Sequence, residues 1–185
     1  MHNTALHSAS SPFLRLFHVS EESGISVFHP RTPTRKDMTD SPPLIWAIAE
    51  NRLSNFLTPR DCPRVCFHRN DKADSDDLSL FSSPDVLSVL AIEHIWFEKM
   101  KSTTLYLYQF DPDGFVLQDA CAGYYVSEKT QTPISVTEIK DVFPLLSAYK
   151  TEVLILDNLW PLADKVMKTN LDWSLCRMKN AQKRV

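Results

Sequence analysis

The chain has 185 residues with 43% apolar content, 23% charged content and a formal charge of -3, the composition of one compact domain with a single core. The slight acidity weighs against broad nucleic-acid binding, and no apolar run approaches the roughly 18 to 20 residues that span a bilayer. With no charged start, apolar stretch and cleavage site at the N-terminus either, the expected compartment is cytoplasmic, with no membrane partner.

Residues 1–12 are small, polar and without periodicity and read as a flexible extension, leaving 13–185 as the globular domain. Phe13 to Ser20 alternates as a strand with His18 near its end, and Ile25 to Phe28 is a short apolar segment able to pack beside it. Pro30, Pro33, Pro42 and Pro43 make the next stretch a basic surface loop carrying Arg31, Arg35 and Lys36. Leu44 to Ile48 reads as a strand and Glu50 to Phe56 as a short helix stopped by Thr58-Pro59.

Asp61 to His68 alternates as a further strand, with Pro63 suited to its start, and Asn70 to Asp77 is a charged loop. Between Pro84 and Met100 helix and strand compete. Thr103 to Phe110 is rich in β-branched and aromatic residues and is followed by the turn Asp111-Pro112-Asp113-Gly114, after which Phe115 to Leu117 stays extended. Tyr124 to Ser127 is a strand fragment, Val136 to Tyr149 fits a helix interrupted near Pro144, and Glu152 to Leu156 is a compact buried strand. Leu159 to Lys168 reads as a helix, and Trp173 to Met178 closes the domain. Strands outnumber helices and alternate with them irregularly, so the predicted class is α+β: mixed or antiparallel sheets with short flanking helices.

Only three glycines occur, Gly24, Gly114 and Gly123. GxGxxG, P-loop and GxSxG motifs are all absent, which removes most of the case for a classical dehydrogenase, a P-loop NTPase or a serine hydrolase. The four cysteines, Cys62, Cys66, Cys121 and Cys176, have no CxxC spacing, so reduced thiols and no metal site are expected. Cys62, Cys66 and His68 share one face of a strand but have no fourth ligand nearby. Glu93 and His94 are adjacent, so on a strand they point to opposite faces and are poorly placed to cooperate.

Two resemblances add to this reading. LFHVSEE, the Pro-Arg-Thr-Pro-Thr-Arg loop, FLTPRDCPRV, LYLYQFDP, AGYYVS, DNLW and WSLCRM make residues 13 to 184 similar to a family of small, uncharacterised bacterial proteins with a domain of unknown function. More remotely, residues 14 to 140 resemble the ADP-ribosyltransferase-like fold: Leu16-Phe17-His18-Val19-Ser20 looks like its first strand, and Leu44 to Phe56 like its second strand and helix. Ala122 to Ser127, followed by Pro133, Ile134 and Ile139, is similar to its late strand.

This second resemblance implies NAD as a substrate, held without a glycine-rich loop, and ADP-ribosyl or glycosidic transfer where the protein is catalytic. It implies that His18, with Ser20 beside it, positions ribose, that Trp46 or Tyr124 stacks on nicotinamide, and that Arg31 or Arg60 holds phosphate. The chemistry suits these residue types, because imidazole bonds hydroxyls, aromatic faces stack on flat rings and guanidinium grips phosphate. His18 and Tyr124 are the catalytic candidates. The family's strand carries Glu or Gln where this chain has Tyr124 and Tyr125, leaving Glu128, Glu93 and Glu22 as the carboxylates to recruit. Two alternatives stay open: a non-catalytic nucleotide-binding module and an RNA-phosphate-processing transferase, whose relatives rely on His and on arginines such as Arg31, Arg35, Arg60 and Arg64. Each candidate also has a plain structural reading, Trp46 as core, His18 as a hydrogen-bonded strand end and the arginines as solvated loop.

Overall fold

A computed structural model of the chain describes residues 14–32 and 42–184; the N-terminal extension, Arg35 and Lys36 lie outside them. In chain order the strands and helices are β1 (Leu16–Ser20), β2 (Ile45–Ala49), a 3-10 helix (Glu50–Phe56), β3 (Arg64–His68), α1 (Ser75–Leu78) and β4 (Ser88–Glu93). A 3-10 turn at His94–Trp96 leads into α2 (Phe97–Ser102), then β5 (Leu105–Phe110), β6 (Val116–Asp119), β7 (Tyr124–Ser127) and β8 (Ser135–Ile139). The chain finishes with α3 (Phe143–Ala148), β9 (Thr151–Leu156), α4 (Trp160–Val166), β10 (Asp172–Cys176) and a 3-10 turn at Met178–Asn180.

The strands form a six-stranded sheet in the order β6-β7-β2-β1-β5-β8 and a four-stranded sheet in the order β10-β3-β4-β9. Every pairing in the first is antiparallel. The second is mixed, because β9 returns parallel to β4. The class is therefore α+β, with two sheets and short helices.

Strand alternation divides the apolar residues into layers. Phe17 of β1 and Leu105 and Leu107 of β5 meet Cys66, Leu90 and Ile92 of the second sheet, closed off by Leu53, Leu57, Met100 and Leu146. The opposite face of the second sheet, with Val65, Phe67, Val89 and Ala91, is covered by Leu159, Ala163 and Val166. The outer face of the first sheet carries a smaller cluster of Leu16, Ala47, Ala49 and Phe110, covered in part by Phe28.

Several expectations need correction. Val136 to Tyr149 is not one helix: its first half is β8, an edge strand on β5, and only Phe143–Ala148 is helical. Val136, Thr137 and Ile139 are β-branched and satisfy the free edge of β5, while Pro144 sits in the first turn of α3, where its missing N–H costs nothing. The Asn70 to Asp77 loop ends in one helical turn, capped by Asp74 and Asp77 reciprocally. Glu152 to Leu156 lies at a sheet edge and is half-buried rather than buried. The competition before Met100 resolves into both elements in succession, a fully buried β4 and then α2.

Candidate functional site

β1 and β2 pair only at Leu16 with Ala49 and Phe17 with Ile48. Beyond that point the His18 side chain takes over, its Nδ1 lying 3.0 Å from the carbonyl oxygen of Trp46. A carbonyl only accepts, so Nδ1 carries the hydrogen and donates it. Burial, followed by the charges of Arg31 and Arg60, holds the His18 pKa below its usual value, against the opposing effect of the Trp46 bond. The ring is therefore neutral at pH 7, and Nε2 presents a lone pair with no protein partner among the described residues. This is a hydrogen-bond acceptor fixed in one tautomer, suited to a hydroxyl donor.

His18 shares its face with Tyr108, its partner across β5. Phe28 packs edge-on against both, at 5.0 Å from the His18 ring and 5.2 Å from Tyr108. The segment that carries Phe28 crosses this face as a strap. The Tyr108 hydroxyl accepts from the Ile25 N–H at 3.1 Å and donates to the Glu22 carbonyl at 2.7 Å. Ser20 Oγ accepts the Glu22 N–H at 3.0 Å, so its hydroxyl shapes the start of the strap.

The strap ends at Arg31, whose backbone exchanges both hydrogen bonds with Leu44 at 3.1 and 2.9 Å. Arg60 arrives from another direction, on the turn after the 3-10 helix, and its backbone N–H is held by Glu21 Oε1 at 2.6 Å. Both arginines are exposed. Among the described residues neither guanidinium has an ion pair or hydrogen bond, yet both charges reach His18. The charges of two exposed arginines thus act on a neutral histidine acceptor, a combination whose chemistry suits an anion that also carries a hydroxyl.

The structure brings together His18, Ser20, Arg31 and Arg60 from the predicted site, but not Trp46 and Tyr124. Trp46 meets His18 only through its carbonyl; its indole lies on the opposite face of the sheet, 5.3 Å from the Tyr124 ring, which also packs on Phe56 at 5.7 Å. The register explains this, since Tyr124 pairs with Ile48 and Tyr125 with Ala47, so Tyr125 rather than Tyr124 shares the His18 face. Glu93 is remote from this corner: it is fully buried at the end of β4, accepting N–H groups from Leu159 and Gln182. Glu22 contributes its backbone to the strap, and Glu128 is exposed beyond β7. Arg64 is buried, donating to the carbonyls of Asn55 and Cys62 with its guanidinium over Phe56. The residues that sequence reasoning missed are Phe28, Tyr108 and Glu21. Tyr108 lies in a stretch read as a strand, and Phe28 in a short apolar segment expected to pack beside the His18 strand, whereas nothing local marks Glu21 as a neighbour of Arg60.

The Cys62, Cys66 and His68 group is interior. Burial pushes the Cys62 thiol up to about 12 and the Cys66 thiol higher, while His68 is pushed down to about 3. His68 Nε2 lies 2.8 Å from Asn55 Oδ1. Among the described residues no group of three or more His, Cys, Asp or Glu is arranged to hold a metal ion.

No helix among the described residues is long and apolar enough to cross a membrane. No curated protein and no solved structure matches the chain. Residues 17–181, a span that takes in every strand but the first residue of β1 and every residue of the His18 corner, match a family of unknown function, DUF6886, and the chain belongs to that family.

Proposed function

We propose that this protein binds a nucleotide of the NAD type at the His18 corner, on an ADP-ribosyltransferase-like fold. Arg31 and Arg60 take the phosphates, and His18 Nε2 accepts a ribose hydroxyl. The observation that carries the reading is the neutral tautomer of His18, fixed by the Trp46 carbonyl and acted on by the charges of two exposed arginines whose guanidiniums have no ion pair or hydrogen bond among the described residues. A phosphate alone would be served better by a protonated imidazole; an acceptor beside two cations asks for a hydroxyl and a phosphate on the same ligand.

Binding is better supported than bond cleavage. The charges acting on His18 are both cationic, whereas cleavage of the nicotinamide bond calls for a carboxylate facing the developing positive charge on ribose. The reading is therefore of a non-catalytic binding module, with transfer chemistry as the arm to be tested beside it.

The test is calorimetric titration with NAD of the wild type, His18→Ala and Arg60→Ala, with nicotinamide release followed by chromatography in the same samples. Wild type should bind with a dissociation constant on the order of micromolar, and each variant should lose about tenfold or more. Free nicotinamide would convert the module into an NAD-consuming enzyme. A wild-type protein that binds no NAD sinks the proposal.

A further inference from the structure

The two arginines are held at the His18 corner in different ways. Arg31 is tied by a reciprocal backbone pair with Leu44, which no single side chain controls. Arg60 lies in a turn closed by the Cys62 N–H to Pro59 carbonyl bond at 3.0 Å, and its own N–H is taken by the Glu21 carboxylate at 2.6 Å. Glu21 directly follows Ser20, the last residue of β1, three positions from His18. It is exposed, so its carboxylate is not there to fill space.

We propose that Glu21 is a positioning residue for the nucleotide site: by accepting the Arg60 backbone N–H, its carboxylate docks the Pro59–Cys62 turn on the end of β1 and holds the Arg60 guanidinium beside His18. The inference rests on the reading of this corner as a nucleotide site. A carboxylate accepting a backbone N–H makes a charge-assisted bond, stronger than a neutral one. It also engages the acid with the peptide rather than with the guanidinium. Had Glu21 paired with the Arg60 side chain, the cation would be neutralised before a ligand arrived. The contact fixes where Arg60 sits and leaves its charge available.

The experiment compares Glu21→Ala and Glu21→Gln in the full chain. His18 is titrated by NMR without ligand, and NAD is then titrated by calorimetry. The two effects of removing Glu21 have opposite signs. Loss of a negative charge near His18 by itself lowers the imidazole pKa, whereas withdrawal of the Arg60 charge raises it. In Glu21→Ala the His18 pKa should rise as it does in Arg60→Ala, and the Glu21→Ala/Arg60→Ala double variant should show no further rise. Glu21→Gln keeps an acceptor for the N–H but loses the charge, so its His18 pKa should lie at or below the wild-type value rather than rise, with NAD affinity near wild type against a loss of about tenfold in Glu21→Ala. A His18 pKa that is unchanged or lower in Glu21→Ala overturns the positioning role. A rise of the expected kind in a protein that binds no NAD retains the role of Glu21 and overturns the nucleotide reading instead.

Discussion

At the scale of single residues, side chains that bridge elements matter more than the elements' own propensities. His18 replaces a strand ladder with one side-chain bond, and Arg52 does comparable work between the sheets. Its Nε donates to the Cys121 carbonyl at 2.9 Å and its Nη2 to Asp172 at 2.6 Å, connecting the turn before β7 to β10. Gly123 makes room for it. Its φ is +68°, and a Cβ there would stand 2.6 Å from Arg52 Cγ and 2.9 Å from Arg52 Cβ. Gly123→Ala combines a left-handed backbone with a steric overlap against the root of a side chain already tethered at its far end. It should destabilise the protein by about 1 to 3 kcal/mol, read from chemical denaturation. An unchanged midpoint would mean that Arg52 moves aside freely.

At the scale of elements, the strap from Glu21 to Thr32 has almost no regular structure; backbone pairs of Phe28 with Gln131 and of Arg31 with Leu44 tie its second half, and the Tyr108 hydroxyl and the Phe28 ring fasten the rest. Tyr108 is fully buried, so Tyr108→Phe leaves the Ile25 N–H and the Glu22 carbonyl without their partner while preserving the ring contact with Phe28. The expected result is a loss of about 1 to 2 kcal/mol and faster amide exchange confined to residues 22–28. Exchange accelerated uniformly across β1 and β5 would instead assign Tyr108 to the sheet. The strap also shows where sequence reading stops. Ile25 to Phe28 is recognisable as a short apolar segment, but its docking against Tyr108, some eighty residues away, leaves no local trace. The same limit explains Val136 to Tyr149. Val136, Ile139, Val142, Phe143 and Leu146 stand at helical spacing, and the open edge of β5 decided for a strand over the first part.

At the scale of the whole molecule, stability depends on histidines that fold into neutral, desolvated places. His68 is held at about 3 and His18 also below 6.5, in both cases chiefly by burial. Between these values the unfolded chain binds protons that the folded chain refuses. The contribution of His68 is therefore complete above pH 6.5 and is lost as pH falls from there toward about 3. The loss should be roughly 1.4 kcal/mol per pH unit below 6.5, with His18 acting in the same direction. Urea unfolding at pH 7.5, 6 and 5, a range in which ordinary carboxylates stay ionised, measures it. His68→Gln should flatten the slope, and a wild-type stability constant across that range would contradict the burial of neutral imidazole.

The amino-acid order by itself determined the α+β class, most strand positions and the family. Alternation, β-branched content and proline placement are local signals, and they act over the few residues that form a strand or end a helix. It also marked His18, Arg31 and Arg60 as residues with chemistry to offer. Tertiary structure alone decided which of them meet. The registers of β2 on β1 and of β7 on β2 put Trp46 and Tyr124 on the face away from His18, the free edge of β5 made Val136 to Ile139 a strand, and one carboxylate at the end of β1 took the backbone N–H of Arg60. Those outcomes depend on pairing between segments far apart in the chain, where a shift of one residue exchanges the two faces of a sheet.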